Sequence, residues 1–323
     1  MVRGSVRFWL CGAVVSGMAI SGFAVSAQAE LRILGNPKDY TTALSVEAQS
    51  QPKCELAGGR VFARHAHGSH CIAYYVTPNI DASRSPVLFF DGDVTPEMFR
   101  DRKRTDDYFS GVRKAFDGFA ERTGVPLIYV SRPGLFGSSG NHGFRRSHAE
   151  AHALNKAVDA IKARYGFKDV VLAGQSGGAW AVAALLTLGR TDVACAVGAS
   201  GGFDLIDDVL RTARKRGKPI PKSALESIDF GPFYDVIRHT QKIQKVASRR
   251  FFVIGDVRDT RTPFEQQKKF GDKVKAGGHH AVVISAQATD QEHHGLSVVA
   301  VRTAVLCSLG RPDTELERQA TQP

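Results

Sequence analysis

A glycine-flanked serine is the residue of this chain best placed for nucleophilic chemistry. Ser176 stands in Gly174-Gln-Ser-Gly-Gly178, between an apolar run (170–173) and a run rich in Ala and Leu (179–188). This order predicts a strand, a sharp turn and a helix, the context in which a G-x-S-x-G pattern marks a nucleophile turn. Glycine neighbours let strained backbone pass close by. The alternative is a Gly-rich turn with an incidental serine, so the rest of the chain must decide.

Strand and helix patterns alternate along most of the chain. The predicted strands are residues 59–64, 71–76, 86–90, 125–130, 170–173, 193–197, 249–254 and 281–285, and the predicted helices are residues 107–122, 150–165, 179–188 and 296–309. This alternation implies an α/β protein with a mostly parallel, twisted sheet and helices on both faces. Residues 205–247 break the rhythm with prolines and basic residues, which predicts a small cap over the carboxyl ends of the strands.

The order of these elements around the serine turn resembles the α/β-hydrolase family, over roughly residues 59–310. In that family the nucleophile is followed along the chain by an Asp or Glu and then by a His. The resemblance therefore implies the α/β-hydrolase fold, with Ser176 as the nucleophile. It also implies two partners for Ser176 further along the chain.

The resemblance places the acid in the loop after the strand that follows the cap. Asp259 stands four residues before Pro263, a spacing common in the family, so we predict Asp259 as the acid. Asp256 in the same loop is the alternative acid, and Asp204 is a third choice. Asp is also common in turns for its own hydrogen-bonding chemistry, so one of the two loop aspartates is expected to be only structural.

The resemblance places the base just before the closing helix, where His294 is followed by Gly295 and His293 is a neighbour. His294 would take the proton of Ser176, and Asp259 would orient the imidazole.

An oxyanion that develops on the substrate needs hydrogen-bond donors. The first is the N–H of Gly177, which is free because it begins a helix. The resemblance implies a second donor in Asp91-Gly-Asp93, where we predict Asp93, with Gly92 in reserve. The family commonly has His-Gly-Gly or His-Gly-aromatic here. A carboxylate beside a developing negative charge is unfavourable unless it turns away or pairs with a cation.

These residues predict a serine hydrolase that cleaves a carboxylic ester or a peptide bond through an acyl-enzyme on Ser176. The alternatives are an acyltransferase on the same triad and a non-catalytic binding protein on a hydrolase fold. The expected partner is a small-molecule ester or a peptide, and no cofactor is predicted. The oligomeric state stays open.

The N-terminus predicts export to the periplasm or the medium. Arg3 and Arg7 precede an uncharged apolar run (8–25), and Ser26-Ala-Gln-Ala29 offers a cleavage site, so residues 1–29 are expected to be a signal peptide that leaves no membrane anchor. The remaining chain has 41 basic and 32 acidic residues, a net charge of +9. The basic residues lack interleaved aromatics, so no nucleic-acid partner is predicted.

The remaining segments and cysteines complete the expected organisation. Residues 30–58 are expected to form an irregular N-terminal extension, and residues 311–323 a frayed polar tail. An exported protein can form disulfides, and the four cysteines after the signal peptide suggest two pairs, Cys54 with Cys71 and Cys195 with Cys307; buried free thiols are the alternative.

A group of histidines in the first predicted hairpin has two interpretations, a metal site or a polar turn. His65, His67 and His70 form an H-x-H-x-x-H pattern, which can supply imidazole ligands. No carboxylate stands beside them, and the strand register is expected to point the three side chains in different directions. We therefore predict a polar hairpin tip and no metal.

Overall fold

The computed structural model describes residues 37–40, 50–56, 58–80, 84–221 and 231–322. The expected signal peptide, residues 1–29, and residues 222–230 of the expected cap lie outside the described residues. No helix of the described part is long and apolar enough to cross a membrane.

An eight-stranded, mostly parallel sheet organises the chain, as the sequence predicted. Its strand order is β1-β2-β4-β3-β5-β6-β7-β8. Strand β2 is antiparallel to both of its neighbours, β1 and β4, and all other neighbouring strands are parallel. The strands are β1 Arg60–His65, β2 Gly68–Val76, β3 Val87–Phe90, β4 Leu127–Val130, β5 Val170–Gln175, β6 Val193–Ala199, β7 Arg250–Gly255 and β8 His280–Ser285. The carboxyl ends of β3 and of β5 to β8 therefore meet at one edge of the sheet, where the candidate residues lie.

Helices cover both faces of the sheet because the central strands are apolar on both sides. In β3, Leu88 and Phe90 pack into one core layer, and Val87 and Phe89 into the other. The described helices are α1 Gln51–Leu56, α2 Pro96–Arg100, α3 Arg102–Thr123, α4 His148–Tyr165, α5 Gly177–Thr187, α6 Leu205–Lys215, α7 Phe264–Ala276, α8 Ser297–Ser308 and α9 Asp313–Ala320. Core residues of α4, α5 and α7 lie on the first face, and those of α3, α8 and α9 on the second.

Four described helices were not expected from the sequence: the short α1, which lies in the segment predicted to be an irregular extension, the short α2, and the longer α7 and α9. Helix α7 has a strongly polar sequence and buries only a narrow stripe that includes Phe270 and Val274. Helix α9 forms within the segment that was expected to fray, and it is anchored because Leu316 and Ala320 are buried against the core. In α7 and α9, two or three apolar side chains are enough to anchor the helix, because they pack on a surface that the core already provides.

Both suggested disulfides occur in the structure. The bond between Cys54 and Cys71 fixes α1 to β2, and the bond between Cys195 and Cys307 joins β6 to α8. The second bond spans 112 residues, so it ties the middle of the sheet to its last covering helix.

Polar contacts order the start of α6 in the described part of the expected cap. The side chain of Asp204 caps α6 by accepting a hydrogen bond from the N–H of Asp207. The buried carboxylate of Asp235 accepts a hydrogen bond from the N–H of Leu205, at 3.2 Å. These contacts tie the start of α6 to the segment around Asp235.

Asp235 should make the stability of the protein depend on pH. Burial, followed by the negative charge of Asp204, raises the pKa of Asp235 to about 7. A carboxyl whose pKa is raised on folding contributes its full stability below its unfolded pKa, and this contribution is lost as the pH rises from about 4 through about 7. The wild type should lose this contribution between pH 4 and pH 8, whereas Asp235→Asn has no carboxyl to ionise. The unfolding free energy of Asp235→Asn should therefore rise by roughly 1 to 3 kcal/mol relative to that of the wild type as the pH goes from 4 to 8. Urea denaturation of both proteins across this range measures the difference, and parallel pH profiles would contradict it.

Candidate active site

Ser176 lies in a strained turn between β5 and α5. Its backbone has φ 55° and ψ −118°, a conformation that is costly for a residue with a side chain. The flanking glycines make the turn possible. A Cβ at Gly174 would overlap the carbonyl of Gly178, and a Cβ at Gly178 would overlap the carbonyl of Phe90 at the end of β3. The glycines of the G-x-S-x-G pattern are therefore required because other backbone atoms lie too close for a side chain at these positions.

The structure brings His294 and Asp259 together near Ser176. The Nδ1 atom of His294 lies 2.9 Å from Oδ2 of Asp259, and both side chains are buried. The Nε2 atom of His294 is also buried and has no hydrogen-bond partner within the described part of the chain. Ser176 and His294 line the same small cavity. One ring nitrogen is thus occupied by a carboxylate, while the other has no protein partner.

Asp259 is held by its own loop. Its Oδ1 accepts hydrogen bonds from the N–H groups of Arg261 and Thr262, at 2.8 and 2.9 Å. The hydroxyl of Thr262 lies 2.9 Å from Oδ2 of Asp259 and 3.3 Å from Nδ1 of His294. Thr262 was missed in the sequence, where only its position three residues after Asp259 could have indicated an Asx-type turn.

Asp256, the alternative acid, is committed to other partners. It accepts hydrogen bonds from the backbone and side chain of Arg258 and from the N–H of Ala288. Burial alone would raise the pKa of Asp256, but the hydrogen bonds from Arg258 and Ala288 lower it to about 2. Its nearest imidazole is His293, with Nδ1 3.8 Å from Oδ2. The third choice, Asp204, caps α6 and pairs with Lys269 at 2.5 Å.

The loop that carries His294 is fixed from two sides. The Oδ1 atom of Asp290 accepts hydrogen bonds from the N–H groups of His294 and Gly295, at 3.0 and 2.6 Å. The side-chain amide of Gln175, the residue before Ser176, donates to the carbonyl of His294 at 3.0 Å. The turn that carries Ser176 is therefore bonded directly to the loop that carries His294.

The carboxylate of Asp93 is paired with arginines. Its Oδ1 lies 2.6 Å from Nη1 of Arg132, and its Oδ2 lies 3.2 Å from both Arg145 and Arg146. Burial alone would raise the pKa of Asp93, but Arg146, Arg132 and Arg145 hold it well below its ordinary value. The condition set by the sequence, that a carboxylate here must pair with a cation, is met by three arginines that the sequence did not indicate.

The Asp91-Gly-Asp93 loop is packed against the turn that carries Ser176. A Cβ at Gly177 would overlap Oδ1 of Asp93 and the guanidinium of Arg132. A Cβ at Gly92 would lie 3.3 Å from the Cβ of Ser176. The N–H of Asp93 makes no hydrogen bond within the described chain, and the N–H of Gly177 begins α5. Two backbone N–H groups are thus left unused beside Ser176.

Two cavities lie near this site. The smaller, of about 160 Å³, contains Ser176 and His294 and is lined by Asp93, Arg145, Arg146, Asp208, Arg211, Thr212, Arg261 and Thr262. The larger, of about 790 Å³, lacks Ser176 and extends toward the β1–β2 hairpin, where His67 and His148 lie in its wall. Arg145 belongs to both walls. The smaller cavity is the one that can hold a reacting group.

The hairpin histidines do not point apart as expected. Nε2 of His65 lies 2.9 Å from Nδ1 of His70, and the two rings stack. His67 approaches two histidines of α4, with ring centroids 5.6 Å from His148 and 5.1 Å from His152. The expectation was wrong because the hairpin tip folds over α4, a contact that strand register alone does not reveal.

Known proteins are similar to this chain in structure. No family model matches the sequence, and no curated protein matches it. An esterase from Pyrococcus furiosus superposes with a TM-score of 0.52 at 15% identity, covering 87% of this chain and 99% of the esterase. Est1E from Butyrivibrio proteoclasticus gives a TM-score of 0.53 at 13% identity and covers 75% of this chain and 96% of its own.

An acylaminoacyl peptidase from Pyrococcus horikoshii gives a TM-score of 0.50 at 14% identity, over 81% of this chain and 41% of the peptidase. These likenesses agree with the eight-stranded, mostly parallel sheet and its covering helices. The chain has the α/β-hydrolase fold. This confirms the fold predicted from the resemblance.

The close approach at Gly178 should make this turn intolerant of any side chain. Gly178→Ala places a methyl group against the backbone carbonyl of Phe90, which has no flexible end to move aside, and should cost about 3 kcal/mol of unfolding free energy. Gly111→Ala is the matched control, because Gly111 also lies in a helix, α3, and an added Cβ meets nothing there. The control should gain up to about 1 kcal/mol. Urea denaturation measures both, and equal effects would contradict the prediction.

Proposed function

We propose that this protein is a serine hydrolase in which Ser176, His294 and Asp259 act as nucleophile, base and acid. The observation that carries the proposal is the buried His294, whose Nδ1 is bound to Asp259. Its Nε2 has no hydrogen-bond partner among the described residues and lies in the wall of the cavity that also contains Ser176. The strained turn at Ser176 supports the same role, because such strain is found where a side chain must be presented to a ligand.

The reaction would proceed in two halves. The Oγ atom of Ser176 attacks the acyl carbonyl, and its proton passes to Nε2 of His294. His294 then returns this proton to the leaving alcohol or amine, and the acyl group stays on Ser176. In the second half, water gives its proton to His294 and attacks the acyl-enzyme, which releases the acid and restores the serine. Asp259 keeps the ring in one tautomer and stabilises the imidazolium.

The N–H groups of Gly177 and Asp93 would bind the oxyanion. Both lie beside Ser176 and neither has another role within the described chain. The Asp93 carboxylate does not oppose this role, since its charge is compensated by Arg132, Arg145 and Arg146. Fixed donors of this kind stabilise the transition state without reorganisation.

The bond cleaved would be a carboxylic ester or a peptide bond. Esterases and an acylaminoacyl peptidase are among the similar structures, and the triad chemistry serves both bonds equally. Transfer of the acyl group to an alcohol would use the same acyl-enzyme, so product analysis with an added alcohol separates transfer from hydrolysis. We further propose that the protein is exported, since it holds two disulfides.

Labelling and kinetics test the triad. Wild-type protein should react with a fluorophosphonate at Ser176, located by mass spectrometry, and Ser176→Ala should not react. Asp259→Asn should lower kcat for p-nitrophenyl esters by about 10⁴-fold, because the imidazole loses its orienting carboxylate. Asp256→Asn is the matched control, as it removes a carboxylate from the same loop, and it should keep kcat within about tenfold.

The outcomes separate the candidates. A folded wild-type protein that neither reacts with the fluorophosphonate nor cleaves p-nitrophenyl esters and aminoacyl p-nitroanilides would overturn the proposal and favour a binding protein. A larger loss in Asp256→Asn than in Asp259→Asn would reverse the assignment of the acid.

A further inference from the structure

Three histidines from two distant segments meet outside the proposed active site. His148 and His152 are four residues apart on α4, which places them on one face of the helix. His67 lies at the turn between β1 and β2. One ring nitrogen from each of the three lies within 4.8 Å of the other two. The proposed hydrolytic chemistry uses none of them.

The surrounding contacts hold His67 in place. The N–H of His67 donates to Nδ1 of His65 at 3.2 Å, and the opposite nitrogen of His65 is bound to His70. The ring of His65 also stacks on that of His152, with centroids 6.4 Å apart. His65 thus contacts both His67 and His152, and His70 supports His65 from its other ring nitrogen.

The size of the cluster suits a small divalent ion. Zinc binds imidazole nitrogen at about 2.0 to 2.1 Å, so tetrahedral ligands lie roughly 3.4 Å apart, and small rotations of the side chains would close the cluster to this size. The side chain of His67 is exposed, while α4 fixes the backbones of the other two histidines. Imidazole favours zinc, copper and nickel over magnesium and calcium.

We propose that His67, His148 and His152 form a binding site for a divalent transition-metal ion of the zinc class. Three imidazoles leave a fourth position for water or a small ligand. His67 and His148 also line the 790 Å³ cavity, from which this position would be reached. The metal would tie the hairpin turn to the first turns of α4, close to Glu150, which holds Arg132 of the Asp93 cluster.

Zinc titration of the tag-free, EDTA-stripped protein tests the site. Calorimetry should give one Zn²⁺ per chain, and Co²⁺ should give the visible absorption of a tetrahedral site. His67→Ala and His152→Ala should each weaken zinc binding by roughly a hundredfold, since each removes one of three ligands. His279→Ala is the matched control, because His279 lies at the far end of the molecule beside α7 and β8, and it should bind zinc like the wild type.

Thermal unfolding provides a second measurement. Saturating Zn²⁺ should raise the Tm of the wild type and of His279→Ala, but not that of His67→Ala, whose exposed side chain can be removed without disturbing the core. The absence of saturable zinc binding by the wild type, or unchanged binding in both cluster variants, would overturn the proposal.

A second, independent observation concerns the charge of the cavity that contains Ser176. Four arginines and two carboxylates line it, and one of the arginines, Arg261, also pairs with Glu292 at 3.4 Å, which leaves one positive charge without a carboxylate. Each of the two carboxylates pairs with more than one arginine. Asp93 binds Arg132, Arg145 and Arg146. Asp208 binds Arg146 and Arg211, and also accepts from Gln266.

The arginines keep hydrogen-bond donors to spare. Each guanidinium carries five N–H groups, more than these carboxylates can accept. The Nε atom of Arg146 is buried and has no partner within the described chain. Of the basic cap residues that the structure describes, only Arg211 lines the cavity, whereas Arg214, Lys215, Arg216 and Lys218 are exposed. Planar, paired donors of this kind suit a carboxylate.

We infer that the cavity accepts acyl groups that carry a second, free carboxylate, such as the half-esters of short dicarboxylic acids. This inference rests on the proposed function, because it names the substrate class of the same site. The free carboxylate would bind the spare arginine donors while the ester carbonyl lies at Ser176. The attraction should weaken as salt is added.

Matched substrates and a direct binding measurement test this inference. The mono-p-nitrophenyl ester of glutaric acid should be cleaved with a kcat/KM at least about tenfold above that of the neutral pentanoate ester at low salt. Arg211→Gln should reduce that preference several-fold, and Arg318→Gln, on the exposed surface of α9, should leave it unchanged. By calorimetry, glutarate should bind the wild type more tightly than its neutral diamide.

The outcomes keep the two claims apart. Cleavage of both esters at equal rates would overturn the carboxylate preference and leave the hydrolase proposal intact. Cleavage of neither ester, with preferential glutarate binding that Arg211→Gln weakens, would retain the anion site and overturn the hydrolase proposal. Equal binding of glutarate and its diamide would overturn the anion site, whatever the activity.

Discussion

The Asp93 carboxylate connects most of the parts that surround the candidate site. It follows β3 and pairs with Arg132 after β4 and with Arg145 and Arg146 before α4. Arg146 continues to Asp208 on α6, so the same network reaches the cap. Removing one partner from a buried ion pair typically costs about 3 to 5 kcal/mol, because the remaining charge is left uncompensated. The Asp91-Gly-Asp93 loop, α4 and α6 are therefore constrained together.

The candidate histidine depends on a second set of contacts. Asp290 holds the backbone of its loop, Gln175 holds its carbonyl and Asp259 holds its ring. Because Gln175 directly precedes Ser176, a movement of the turn that carries Ser176 would also move the loop that carries His294. Gln175 therefore positions His294, in addition to the close backbone packing that the glycines of the turn allow.

The sequence predicted the fold through local patterns, and its errors have physical causes. The turn at Ser176 and the strands of the sheet were recognised because glycine spacing and apolar runs are properties of short segments. Helix α7 was not predicted because its buried stripe is narrow and its other side chains are polar. Helix α9 was expected to fray because nothing in residues 311–323 shows that the core offers a surface to Leu316.

The sequence by itself determined the strained, glycine-flanked turn at Ser176 and the chain order of serine, acid and histidine. Only the tertiary structure decided which aspartate meets His294, since Asp256 and Asp259 lie in one loop and differ only in the direction of their side chains. It also supplied the arginines around Asp93 and joined His67 to His148 and His152. Such contacts unite residues far apart in the chain, and they arise only when the sheet aligns the ends of its strands and the hairpin folds over α4.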